Sequence, residues 1–219
     1  MKRLKDLGDI RRTFVVDALR YSFSIEDSDY HELWEILRSM EPLFQADDDI
    51  ETQVIRALSK AWSLIDLTHK VRRLIQQVRG LPQNTSDVQL FLRATERIDV
   101  FRNYFQHLST EISKISGQSN PIMGSISWVG NTPNESYTLI ATSPCQEVST
   151  PGLAVDTRTM EFTCDLQLSA QNQDLCLRTV HSKVQDLRAF FSDWLEQQEM
   201  LINEEHRTGK MRFIIQAEA

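Results

Sequence analysis

The sequence predicts an α+β protein in which a bundle of helices precedes an antiparallel sheet and a long C-terminal helix. Apolar residues recur at a helical spacing through most of residues 10–115. Beyond Gly117 they alternate with polar residues, which is the period of a strand, and helical spacing returns over residues 174–205. We therefore expect a helical bundle over residues 1–117, and a sheet with its helix over residues 118–219 packed on that bundle.

The composition is that of an ordinary globular protein with enough apolar residues to build a core. The chain has 219 residues, of which 41% are hydrophobic and 25% are charged. Its net charge of −7 gives no general attraction to nucleic acid or to an anionic membrane, so any such site must be a local basic patch. No apolar run is long enough for a membrane span, and the basic opening segment lacks the apolar core of a signal peptide.

The cysteines favour a reducing compartment. Cys145, Cys164 and Cys176 are odd in number, and their spacing fits no zinc-binding pattern. Free thiols in a cytoplasmic protein are the simplest interpretation.

About four helices are predicted in the bundle. The apolar positions of the first are Ile10, Phe14, Val15, Ala18, Leu19 and Phe23. The second restarts after a cap at Asp27 or Ser28, and the third begins after the acidic cluster Asp47–Asp49 and ends near a Gly80 cap.

The fourth helix begins at Ser86, where Ser86 and Gln89 have the spacing of a capping box. Its apolar positions continue to Ile115, and Gly117 and Pro121 end it. The sequence FRNYFQHLS, residues 101–109, lies near the end of this helix.

The C-terminal part is predicted to form strands on either side of one helix. The segment GSISWVGNTPNESYTLIATSP has the pattern of two strands joined by a Gly-Asn-Thr-Pro-Asn turn. In RTMEFTCDLQL, one half-buried strand is predicted to place Met160, Phe162, Cys164 and Leu166 on its inner face. A short last strand, MRFIIQAE, follows the helix.

Familiar catalytic and metal-binding motifs are absent from the sequence. There is no Gly-rich phosphate loop, no nucleophile elbow and no His-Glu-x-x-His zinc helix. No carboxylate or cysteine stands at an obvious metal-ligand spacing from His31, His69, His181 or His206. His69 shares a helical face with Asp66 and Arg73, and we interpret it as part of a polar surface. We therefore expect no metal and no cofactor.

The segment FRNYFQHLS brings a guanidinium, two amides and an imidazole onto one strip of a helix. Asn103 and His107 are four residues apart and share a face, Arg102 can reach across the same groove, and Gln106 lies beside His107. The apolar side of this helix is predicted to bury Phe101, Phe105 and Leu108.

These groups are suited to cleaving RNA without a metal. An imidazole exchanges protons near neutral pH, and a guanidinium binds phosphate oxygens and stabilises charge that develops on them. The ribose 2′-hydroxyl would be the internal nucleophile, with His107 carrying the proton and Arg102 clamping the phosphate. DNA lacks that hydroxyl and would resist.

An Arg-Asn-x-x-x-His motif on a late helix of a helical bundle resembles the signature of the HEPN superfamily. The matching residues are Arg102, Asn103 and His107, and the resemblance extends over about residues 50–117. It implies a metal-independent ribonuclease of toxin or defence type, catalytic roles for these three residues, and a homodimer whose two motifs face each other. An antitoxin or regulatory protein would be the partner.

Basic residues on the third and fourth helices are the expected RNA contacts. Arg73, Arg93 and Arg97 would bind phosphate together with Gln106, although solvated surface charge explains the same pattern. The alternative function is a non-catalytic binding or regulatory protein that uses the motif for dimerisation or for anion binding. In a purely structural interpretation, Arg102 and His107 only serve the end of their helix.

Overall fold

The computed structural model describes residues 3–4, 7–46, 50–113, 121–132, 135–141 and 152–202. The predicted α+β class is confirmed, with long N-terminal helices followed by an antiparallel sheet and a C-terminal helix. The helices are α1 (Ile10–Ala46), α2 (Glu51–Ile75), α3 (Ser86–Ala94), α4 (Ile98–Gln106), α5 (Leu108–Ile112) and α6 (Leu177–Gln197). No helix in these ranges is both long enough and apolar enough to cross a membrane.

The strands form one four-stranded antiparallel sheet and two short ribbons. They are β1 (Arg3–Leu4), β2 (Ser125–Val129), β3 (Ser136–Ile140), β4 (Val155–Asp156), β5 (Glu161–Phe162), β6 (Leu166–Ala170), β7 (Gln173–Cys176) and β8 (Leu201–Ile202). The large sheet has the order β3-β2-β6-β7, while β1 pairs with β8 and β4 pairs with β5.

Helix α1 is continuous, so the predicted restart at Asp27 or Ser28 is wrong. Its buried residues repeat at alternating steps of three and four through Val16, Leu19, Phe23, Glu26, Tyr30, Leu33, Leu37 and Met40. This single stripe spans the predicted break, so the packing that it provides favours an unbroken helix. The predicted stripe is confirmed at Leu19 and Phe23, which are buried, but it is wrong at its start, because Ile10 is 70% exposed and Phe14 is 65% exposed.

The predicted fourth helix is divided into α3, α4 and α5. The first break follows Thr95, a fully buried residue whose hydroxyl donates to the carbonyl of Phe91. Arg72 of α2 donates to the carbonyl of Leu92 and to the Thr95 hydroxyl, and it thereby satisfies the end of α3.

The N-terminus of α3 also differs from the prediction. Thr85 is its N-cap residue, no side chain there makes a capping bond, and Gln89 instead donates to the carbonyl of Gln83. The predicted Ser86–Gln89 capping box therefore does not form. Gly80 does take a left-handed conformation, with φ of 81°, but in the turn beyond α2 rather than at its C-cap, Gln76.

The predicted hairpin of β2 and β3 is confirmed, whereas the single strand predicted over residues 158–168 is wrong. That segment contains β5, an irregular stretch, and the start of β6, and Met160 has a left-handed φ of 58°. Strand β6 is buried on both faces because it lies between β2 and β7 and contacts α6. Residues 174–176, predicted as the start of the helix, belong to β7.

Two hydrophobic clusters make up the core. The first joins α1, α2 and α4 to the sheet, with Trp62 and Phe101 on the helical side and Trp128 and Leu168 on the sheet side. The second packs α6 against α1, α2 and α3, with Phe191 of α6 at its centre. The bundle and the sheet thus share one of the two clusters.

The cysteine prediction is wrong for one pair, because Cys164 and Cys176 form a disulfide between the start of β6 and the end of β7. Their Cα atoms are 5.9 Å apart, within the range that a disulfide spans. Several sequence features lie outside the described residues, namely Asp47–Asp49, Ile115, Gly117, Cys145, His206 and the predicted strand over residues 211–218.

Candidate functional site

The Arg-Asn-x-x-x-His motif lies on α4 and at its C-terminal end. Arg102 is half-buried, while Asn103 and His107 are both exposed. His107 is the C-cap of α4, and its main-chain N–H donates to the carbonyl of Asn103. Of the predicted apolar side, Phe101 is buried, Leu108 is half-buried and Phe105 is 38% exposed.

A groove runs between α2 and α4 beside this motif, with a volume of about 650 Å³. Its walls are mostly apolar, and its polar lining is concentrated at Asp66, Arg102 and Gln106, with two serines of α2. The apolar lining residues are Val54, Ile55, Leu58, Trp62, Ile65, Phe105, Met123 and Ala141. Of the three motif residues, Arg102 lines the groove, whereas Asn103 and His107 do not.

An aromatic pair forms one wall of the groove. The rings of Trp62 and Phe105 are stacked with their centroids 4.4 Å apart. The Trp62 indole is held in place because its Nε1 donates to the carbonyl of Met123 at 3.0 Å. Phe105 is 38% exposed and lines the groove together with Arg102, so its ring can stack against a nucleobase or any other flat apolar group.

Arg102 is held by Asp66 of α2. The guanidinium Nε donates to one carboxylate oxygen at 3.2 Å, and the ammonium group of Lys70 contacts the other at 2.6 Å. Burial alone would raise the pKa of Asp66, but the hydrogen bonds from Lys70 and Arg102 outweigh it and hold that pKa below its usual value. Asp66 is therefore ionised at neutral pH, and the terminal nitrogens of Arg102 can still donate to a second acceptor.

A second polar cluster adjoins this pair along the same two helices. His69 Nδ1 lies 2.7 Å from a carboxylate oxygen of Asp99, and Arg72 donates to the other oxygen at 3.3 Å. His69 thus pairs with Asp99 of α4, and not with Asp66 or Arg73 as its helical spacing suggested. The partner comes from the neighbouring helix because α2 and α4 pack together.

The predicted phosphate-binding residues are distributed over three elements. Gln106 lines the groove with Arg102, and Arg73 and Arg93 are exposed on α2 and α3. Arg97, which precedes α4, donates to the main-chain carbonyl of Asp174 in β7. Only Gln106 and Arg102 are therefore placed by the structure in one cavity.

Sequence analysis missed the residues that organise this site. Asp66 was considered only as a neighbour of His69, and Trp62 was not singled out. The tie between Asp66 and Arg102 spans 36 residues of sequence, so a local motif cannot reveal it. The group of described residues with metal-ligand spacing lies elsewhere, on α1 and α6.

Comparison with known proteins identifies no relative: no family model, no curated protein and no solved structure matches the chain.

Proposed function

We propose that this protein is a metal-independent endoribonuclease in which Arg102, Asn103 and His107 are the catalytic residues. The observation that carries the proposal is the arrangement on α4: Asp66 orients Arg102, while Asn103 and His107 stay exposed one and five positions later. A guanidinium and an imidazole, here on α4 and at its C-cap, are the two groups that phosphodiester cleavage without a metal needs. The motif's resemblance to that of the HEPN superfamily supports the same proposal.

The reaction uses the ribose of the substrate as its own nucleophile. The 2′-oxygen bonds to phosphorus and the bond from phosphorus to the 5′-oxygen breaks, which leaves a 2′,3′-cyclic phosphate and a 5′-hydroxyl. His107 takes the proton of the 2′-hydroxyl, and the departing 5′-oxygen receives a proton from a second acid. Arg102 and the Asn103 amide donate to the phosphate oxygens, where negative charge accumulates in the transition state.

The second acid is the reason to propose a homodimer. Each chain supplies one imidazole to the motif, and a two-fold dimer would place His107 of a second copy opposite the first. Exposed apolar residues flank the motif at Val100, Phe105 and Ile112, and such residues favour contact with a partner surface.

The cellular role that we propose is of toxin or defence type, in the cytoplasm, under the control of an antitoxin or regulatory partner. A cytoplasmic RNA target would place the protein among reductants that keep thiols reduced. The Cys164–Cys176 disulfide would then open in the cell, while the residues of the motif lie on separate elements from it.

The test is incubation of the purified protein with a single-stranded RNA in the presence of EDTA. We expect cleavage that leaves cyclic phosphate ends, and an oligonucleotide with one 2′-deoxyribose at the cut position should stay intact at that position. The proposal is wrong if no RNA is cut, if cleavage requires added metal, or if the deoxy-substituted strand is cut equally fast.

A second candidate function is the binding of an amphipathic anion without catalysis. The groove favours it, because a cavity of about 650 Å³ with mostly apolar walls and a guanidinium at one end has the size and character of a small-molecule site. The apolar part of the ligand would lie against Trp62 and Phe105, and its carboxylate, sulfonate or phosphate would accept from Arg102.

This candidate predicts that anilinonaphthalene sulfonate, a fluorescent amphipathic anion, binds in the groove and depends on Arg102. Loss of a hydrogen bond to a charged group costs about 1.5–3 kcal/mol, so Arg102→Gln should weaken binding by about 10- to 100-fold. Arg93→Gln, an exposed arginine outside the groove, is the matched control and should bind as the native protein does. Equal binding by the Arg102 and Arg93 variants would exclude the groove.

A further inference from the structure

Two histidines and an aspartate meet where α1 packs against α6. Asp27 and His31 are four residues apart on α1, and His181 faces them from α6. One ring nitrogen of each histidine and one carboxylate oxygen of Asp27 all lie within 4.8 Å of one another. Local sequence spacing contained two of the three residues of this cluster, but it could not place His181, which is 150 residues away from His31.

The hydrogen bonds of the two rings determine which ring nitrogen remains available to a metal. His181 Nδ1 lies 3.2 Å from both oxygens of Glu26, and His31 Nδ1 lies 2.7 Å from the main-chain carbonyl of Asp27. The main-chain carbonyl can only accept, so Nδ1 of His31 donates to it. Nδ1 of His181 donates to the ionised form of Glu26, and in this arrangement Nε2 of each neutral ring carries the lone pair. A histidine that donates from one nitrogen to a carboxylate or carbonyl is the arrangement in which the other nitrogen binds a metal.

The surroundings of His181 and Asp27 restrict their positions. The His181 ring is stacked on Tyr30 with the centroids 3.8 Å apart, and its side chain is only 14% exposed. Glu26 is 1% exposed and also accepts from Gln185. Arg188 of α6 donates to Oδ2 of Asp27, and Oδ1 lies 3.8 Å from His181 Nε2 and 3.6 Å from His31 Nδ1.

We propose that Asp27, His31 and His181 bind a divalent first-row transition metal, zinc being the ion that this donor set suits best. Two imidazole nitrogens and one carboxylate oxygen are a typical three-ligand set for zinc, and a water molecule completes its tetrahedron. Magnesium and calcium prefer oxygen ligands and would bind poorly.

The cluster needs a small contraction to bind the ion. Bonds of about 2.0 Å place tetrahedral zinc ligands about 3.3 Å apart, so the 3.8 Å between His181 Nε2 and Asp27 Oδ1 must close by about 0.5 Å, and a pair at the 4.8 Å limit by about 1.5 Å. The His31 side chain is 66% exposed and is free to move toward the other two ligands, whereas His181 is packed. The bound ion would link α1 of the helical bundle to α6 of the C-terminal part.

The experiment is metal titration of the full chain without a histidine tag. Zinc should bind with a stoichiometry of one per chain by calorimetry and should raise the melting temperature, while magnesium should do neither. Cobalt, used as a spectroscopic substitute, should give the intense visible absorption of a four-coordinate site and should be displaced by zinc.

Three variants locate the site. His31→Ala removes an exposed ligand without opening the core, and it should weaken zinc binding by more than about 100-fold, beyond the range that outer residues control. Glu26→Gln should weaken binding by about 10- to 100-fold, because it removes the charge that orients His181. The matched control is His69→Gln, which changes a histidine of α2 that pairs with Asp99 of α4. This variant should bind zinc as the native protein does.

Two results would overturn the inference. One is the absence of any zinc- or cobalt-dependent signal in the native chain. The other is binding that His31→Ala leaves unchanged, which would place the ion elsewhere. Both results leave the ribonuclease proposal untouched, because its cleavage assay is performed in EDTA and the two sites share no residue.

Discussion

Replacement of His107 by alanine is expected to lower the rate of RNA cleavage by about 100- to 10,000-fold, the contribution of one positioned proton-transfer group. His107 is the exposed imidazole of the α4 motif, and in the proposed reaction it takes the proton of the 2′-hydroxyl. The measurement is single-turnover cleavage of an end-labelled RNA under saturating protein, which reports the chemical step rather than binding. The pH profile should also change, since the variant lacks the imidazole that accepts the proton in the proposed reaction.

The fold should be indifferent to this change. His107 is exposed, and the capping bond at its position is made by its main-chain N–H, which alanine retains. The melting temperature of His107→Ala should therefore match that of the native protein. His69→Gln is the control for histidine loss outside the motif, and it should cleave at close to the native rate. A His107→Ala protein that cleaves as fast as the native chain would remove His107 from the mechanism.

Sequence periodicity predicted which parts of the chain are helical better than where the helices break. The α1 stripe from Val16 to Met40 is present in the sequence, but a polar stretch containing Asp27 and Ser28 resembled a cap. The break after Thr95 is the opposite case, because it is present in the structure but was not predicted from the sequence. It is stabilised by Arg72 from another helix, so the sequence of residues 86–115 alone reads as one helix.

The strands show the same limit. The hairpin of β2 and β3 was predictable because its turn residues lie between two apolar runs. Strand β6 does not alternate in burial, because Gln167 and Ser169 are buried as well as Leu166 and Leu168. Its polar positions are satisfied within the sheet, where Gln167 donates to Ser169 and Ser169 donates to Asp174. These bonds join side chains two and five residues apart within the β6–β7 hairpin, and a simple alternation of polar and apolar residues does not reveal them.

At the candidate site, local spacing predicted the exposed motif residues but not the residues of α2 that surround Arg102. Asn103 and His107 were placed on a common face from their separation of four, and both are exposed. The partner of Arg102, the stacked ring of Trp62 and the groove between α2 and α4 all depend on how two helices pack. A short motif therefore names the reactive groups, while their orientation is set by residues 36 or more positions away.

Replacement of Trp128 by alanine is expected to cost about 3–5 kcal/mol of the free energy of unfolding, the usual cost of removing a fully buried aromatic side chain. Trp128 of β2 is 0% exposed and lies in the cluster that the bundle and sheet share. Its indole N–H donates to Glu41 at the end of α1, and the same carboxylate accepts from both nitrogens of Asn131. The substitution opens a cavity and also deprives a buried carboxylate of one donor.

Urea denaturation followed by far-ultraviolet circular dichroism measures this cost without relying on tryptophan fluorescence. Trp34→Ala is the matched control, because Trp34 is the same residue type but half-buried, with Arg38 over its ring at 5.1 Å. It should cost about 1 kcal/mol, as a cation–π contact and partial burial imply. Trp128→Phe separates the two contributions, since it fills most of the cavity and removes only the bond to Glu41, and it should fall between the other two. If Trp128→Ala were no more destabilising than Trp34→Ala, Trp128 would not be the residue that joins the sheet to α1.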